Sequence, residues 1–106
     1  MSVTKKLIER NERFSKKFTG KDLSPIPTLR TVIVTCADAR VDPAHVLELD
    51  LGEALVVRNT GGRITPEVIE EIAAIAFISA RLQPDVDSSF DLALMRHTEG
   101  GAQRSA

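Results

Sequence analysis

The chain has 106 residues, 14 Lys plus Arg against 15 Asp plus Glu, and 42% hydrophobic residues, the profile of one globular body rather than two. No apolar run approaches the roughly 18 to 20 residues that cross a bilayer, and the basic start lacks the apolar stretch of a secretory signal, so the expected setting is cytoplasmic with no membrane partner. A single cysteine, Cys36, excludes an internal disulfide and leaves three roles open: buried filler, reactive thiol or metal ligand.

The near-zero net charge hides an asymmetry. Residues 1–21 hold seven Lys or Arg against two Glu, whereas the rest of the chain holds seven against thirteen Asp or Glu. A basic arm suggests a nucleic-acid partner only where aromatic and glycine residues are interleaved with it and the body has the same sign. Neither holds, and no nucleic acid is expected. The arm reads instead as an amphipathic helix whose Leu7, Phe14 and Phe18 dock on another surface, such as that of a second subunit.

In chain order, Val3 to Phe18 reads as a helix that Thr19-Gly20 ends and Pro25-Ile26-Pro27 follows as a linker, making residues 1–28 an arm and 29–106 an α/β domain. Thr31-Val32-Ile33-Val34-Thr35 is a β-branched run without polar alternation, the mark of a strand covered on both faces in a parallel sheet. Asp42 followed by Pro43 is a helix start, and the short helix through Leu47 stops before Gly52. Ala54 to Val57 gives a second strand, running into the Arg58-Asn59-Thr60-Gly61-Gly62 loop. Thr65-Pro66-Glu67 repeats the cap, proline and acid signature. After it Val68, Ile69, Ile72, Ile75, Ala76 and Ile78 form the apolar face of a helix to about Arg81. Phe90 to Met95 makes a third strand.

Strands alternating with helices predict a parallel β-sheet core flanked by helices, with sites collecting beyond the carboxyl ends of the strands. Cys36, the Asn59–Gly62 loop and His97 all fall at that edge. In Cys36-Ala37-Asp38-Ala39-Arg40 a thiol, a carboxylate and a guanidinium recur at every second residue. That spacing suits a metal site with a controlled acid, an activated thiolate, or simply a buried cysteine beside an ordinary ion pair. Three residues between cysteine and arginine are too few for the phosphate loop of thiol phosphatases. His97 is a ligand candidate or a hydrogen-bonded structural histidine, and His45 reads as solvated. Gly61 and Gly62 offer backbone N–H groups to an anion but lack dinucleotide-fingerprint spacing.

Together these stretches resemble the β-class carbonic anhydrases. The resemblance runs from about Thr31 to Gly101 through Cys36-Ala37-Asp38-Ala39-Arg40, Val57-Arg58-Asn59-Thr60-Gly61 and His97-Thr98-Glu99-Gly100-Gly101. It implies that Cys36 and His97 ligate Zn2+, that Asp38 and Arg40 form the pair deciding whether Asp38 stays off the metal or serves as a third ligand, and that carbon dioxide is hydrated reversibly to bicarbonate. Gly61 and Gly62 would line the substrate site, and the working form would be a homodimer or higher oligomer. Two departures stand out: Gly100 occupies the position of the family's second cysteine ligand, and the chain stops at Ala106 where the family continues, as in a C-terminally truncated member. A catalytic zinc takes three protein ligands and an open position, so zinc is expected to be weak or absent and the activity impaired. The competing readings are a metal-poor pseudoenzyme kept as an interaction or anion-binding module, and a carbonyl sulfide or carbon disulfide hydrolase of the same fold.

Overall fold

The structure, a computed structural model, describes residues 2–87 and 89–96. His97, Glu99 and Gly100 lie outside these residues.

Helix α1 spans Val3–Lys17, with the Ser2 hydroxyl accepting from the Lys5 amide at its start and Lys16 and Lys17 in its last turn, where cations suit the helix dipole. Strand β1 covers Thr31–Cys36 and is followed by a one-turn 3-10 helix at Ala39–Val41 and by α2, Pro43–Val46. Strand β2 is Leu55–Asn59, α3 is Pro66–Leu82 and β3 is Asp91–Met95. All three strands are parallel in the order β2-β1-β3, as the alternating pattern predicts.

Strand β1 is central, and its β-branched Val32, Ile33, Val34 and Thr35 are all buried. Val32 and Val34 meet Val68 of α3, with Leu55, Val57, Ile72 and Phe90 packed around them. The buried Thr35 hydroxyl is satisfied by donating to the Met95 carbonyl at 3.0 Å, which also ties β1 to the last residue of β3.

One expectation needs adjustment, and two further features were not expected from the sequence. β2 starts at Leu55 and runs on through Arg58 and Asn59, because these two still pair with Thr35 and Cys36. The 3-10 turn was not predicted; it forms because Asp38 caps it, accepting from the Arg40 amide. The apolar face of α3 is only partly covered. Val68 is buried, and Ile69 and Ile78 of the same apolar face stand exposed together with Phe77 and Leu82. A three-stranded sheet buries one stripe of a helix, and α3 carries apolar residues well beyond one stripe.

Helix α1 buries nothing within the chain: Leu7, Phe14 and Phe18 are 55%, 51% and 42% exposed, with the two phenylalanine rings 5.5 Å apart. The radius of gyration, 16.2 Å, exceeds the roughly 13 Å of a compact chain of this length.

At the amino ends of the strands Arg30 joins three segments. Its backbone sits in the left-handed region at φ 46°. Its guanidinium donates to Ser79 Oγ, Gln83 Oε1 and the Ser89 carbonyl and lies 4.8 Å from the centre of the Phe90 ring.

Candidate active site at the carboxyl edge of the sheet

β1 ends at Cys36, opposite Asn59 of β2, and the last bond across the two strands runs from the Ala37 N–H to the Asn59 carbonyl at 2.8 Å. Beyond it the chain turns sharply. Asp38 Oδ1 accepts from the Arg40 backbone N–H at 2.9 Å and from Arg40 Nε at 3.0 Å, and Oδ2 accepts from Nη2 at 2.6 Å. The carboxylate side is 15% exposed and the guanidinium side 69%, so a shielded acceptor is held by a fork that reaches in from solvent. The hydrogen bond to Asp38, and then its charge, hold the Arg40 guanidinium above its ordinary pKa. It is cationic at any working pH.

Arg58 was not singled out by the sequence reading. Its Nε donates to the Cys36 carbonyl at 3.1 Å and its Nη2 to the Asp38 carbonyl at 2.6 Å. The available signal was a cation closing an otherwise apolar strand, where an unpaired charge is disfavoured. Asn59 then closes the next loop on itself: its side chain donates to the Arg63 carbonyl at 2.8 Å and accepts from the Arg63 N–H at 2.7 Å. Gly61 and Gly62 have φ of 87° and 61°, a region that glycine enters without steric cost. The Gly62 N–H donates to the Asn59 carbonyl at 3.2 Å.

Cys36, Asp38 and Arg40 are thus gathered in one turn, with the Gly61-Gly62 loop beside it. His45 is exposed on α2. His97 lies outside the described residues; Met95, two residues before it, is paired with Thr35, next to Cys36. An apolar cavity of about 120 Å³, lined by residues including Ile26, Leu55, Ile75 and Phe90, lies toward the amino ends of the strands and away from this turn.

A sequence profile described as carbonic anhydrase matches residues 31–102. β-Carbonic anhydrase 1 of Mycobacterium tuberculosis is 35% identical over 101 residues, covering 95% of this chain and 56% of that protein. The chain belongs to the β-carbonic anhydrase family. β-Carbonic anhydrase 3 of Arabidopsis thaliana is 41% identical over 44 residues, 42% of this chain and 17% of that one. Among solved structures, a carbonic anhydrase from Streptococcus mutans superposes with a TM-score of 0.76 at 32% identity, covering 98% of this chain and 58% of that chain. The chain therefore spans a little over half the length of these full-coverage relatives.

β-Carbonic anhydrases are zinc-dependent, so the donor set can be tested against a zinc ion. Among the described residues, no three His, Cys, Asp or Glu side chains are grouped so as to hold a metal. Cys36 is a suitable soft donor at the right edge. Both oxygens of Asp38 are engaged by Arg40, and Gly100 has no side-chain donor. The described residues by themselves therefore do not supply the three protein ligands of a catalytic zinc.

Proposed function

We propose that this chain carries the carbon dioxide hydration site of its family in a form short of one metal ligand, interconverting carbon dioxide and bicarbonate at a reduced rate. The observation that carries the reading is the Asp38–Arg40 pair, a two-point contact of 3.0 and 2.6 Å, two residues beyond Cys36 at the carboxyl edge of the sheet. Cys36 and His97 are the residues that would hold zinc. Zinc held there would lower the pKa of its water to about 7, making hydroxide available near neutrality.

The remaining work falls to the chain's own groups. Asp38 accepts a hydrogen bond from the attacking water and so directs its lone pair, and Arg40 fixes the direction of that acceptor and keeps it from serving as a ligand. Carbon dioxide is neutral and needs only apolar walls. Of the two loop glycines, Gly62 spends its N–H on the Asn59 carbonyl, which favours the Gly61 N–H as the group that would meet a bicarbonate oxygen. The working form is taken to be a homodimer or larger, supported by the uncovered apolar face of α1 and by the opposite charges of arm and body.

The test is zinc content and stopped-flow carbon dioxide hydration of the parent and of Gly100→Cys. A thiolate three residues beyond His97 is expected to raise zinc affinity by orders of magnitude and to lift turnover above the parent; Cys36→Ala in the same background is expected to abolish both gains. A Gly100→Cys protein that takes up no more zinc than the parent overturns the reading in favour of an interaction module. Turnover of carbonyl sulfide or carbon disulfide in place of carbon dioxide would overturn the substrate assignment alone.

A further inference from the structure

We infer that Arg58 is a positioning residue for the Asp38 carboxylate, fixing the turn that carries it to the neighbouring strand through two backbone carbonyls. The inference rests on the role proposed above for Asp38. After the Ala37–Asn59 bond the chain has left the strand ladder, and its carbonyls need donors from elsewhere. Arg58 sits opposite Thr35 in the register of β1 and β2, one residue short of the end of its strand. From there one edge of its guanidinium spans the Cys36 carbonyl at 3.1 Å and the Asp38 carbonyl at 2.6 Å. The Asp38 carbonyl also accepts from the Val41 N–H at 3.2 Å, so it is approached from both the strand side and the 3-10 side.

The bonds between Asp38 and Arg40 join residues two apart. They fix the carboxylate relative to the turn and do not fix the turn relative to the sheet. The bonds from Arg58 do the second job, and both are charge-assisted, the stronger kind of hydrogen bond. The need is for a fork rather than a charge: a lysine ammonium at this position is a point donor on a flexible stem and cannot hold two carbonyls in one plane. Arg58 is not among the groups that meet a reacting atom and acts through Asp38.

The experiment follows the Arg40 Nε–H, which donates to Asp38 Oδ1, by hydrogen exchange in the 15N-labelled, metal-free full chain. In the parent this proton is expected to be protected. In Arg58→Ala and Arg58→Lys its exchange is expected to quicken by about tenfold or more while the amides of Val32 and Val34 keep their protection, which separates loss of positioning from loss of fold. Arg63→Ala, in the loop that follows β2, is expected to leave the Arg40 signal unchanged. An unaltered Arg40 rate in Arg58→Ala, or parental protection in Arg58→Lys, overturns the inference. Should Arg58→Ala lose its β1 amides as well, Arg58→Lys carries the test with the same two outcomes. Because no metal is present, failure of zinc uptake in the Gly100→Cys experiment and failure here are read independently.

Discussion

Gly62 packs its backbone directly on that of Cys36: a Cβ at position 62 would lie 2.9 Å from the Cys36 nitrogen and 3.0 Å from the Thr35 carbonyl carbon. Both neighbours are main chain in the central strand and have little room to give. The φ of 61° at Gly62 adds a conformational cost for any side chain. Gly62→Ala is therefore expected to lower stability by about 1 to 3 kcal/mol, measured by urea denaturation, and to displace the end of β1 so that Cys36 alkylation by a maleimide changes rate. Gly61→Ala is the comparison and should disturb Cys36 less.

Arg40→Gln tests the division of labour within the turn. Losing the guanidinium releases the two-point hold on Asp38, and the carboxylate becomes available as a third donor beside Cys36. Zinc affinity of the chain should rise by about tenfold or more, while hydration in the Gly100→Cys background should fall. The complementary change, Asp38→Asn in that background, should retain metal better than turnover. Titration calorimetry with zinc and stopped-flow assays separate the two quantities.

The sheet was readable from the sequence, and the reason is local. Thr31 to Thr35 is a β-branched run without polar alternation, as suits a strand whose two faces are covered, and the two Pro-led helix starts at Pro43 and Pro66 mark where crossovers begin. Grouping Cys36, Asp38 and Arg40 also needed only spacing. Arg58 was not legible in that way, because its partners are the carbonyl oxygens of the last residue of β1 and of the turn that follows it, and only register brings them within reach. How much of the apolar face of α3 is covered is likewise not legible in the sequence. Periodicity reports which helix residues share a side, whereas burial depends on how wide a sheet lies beneath them.

The arm should mediate self-association. Replacing Phe14 and Phe18 together with aspartate keeps the helix start at Ser2 and removes the aromatic pair, and this double variant is expected to shift sedimentation toward a monomer at micromolar concentration. A parent chain that is already monomeric and unfolds cooperatively would contradict the homodimer proposal.

Arg30 offers a control at the far end of the strands. Arg30→Ala leaves the buried Ser79 hydroxyl without the guanidinium that meets it and is expected to cost about 1 to 3 kcal/mol. Because the damage is distant from Cys36, zinc content of the folded protein should stay at the parental level. A loss of zinc in parallel with stability would instead show that the two ends of the sheet are coupled.

The order β2-β1-β3 gives the central strand two flanks that are completed at very different times. β2 follows β1 closely in sequence, whereas β3 pairs with residues 60 positions earlier, as Thr35 does with Met95. During synthesis one row of backbone groups on β1 must therefore wait, unpaired, until Met95 has cleared the ribosome. Long-range parallel pairing is slow to form, and an open edge on an apolar strand is the usual template for wrong pairing. Val34→Thr, which makes that waiting strand more polar, should raise the soluble fraction of nascent chains arrested before β3 even as it weakens the finished core.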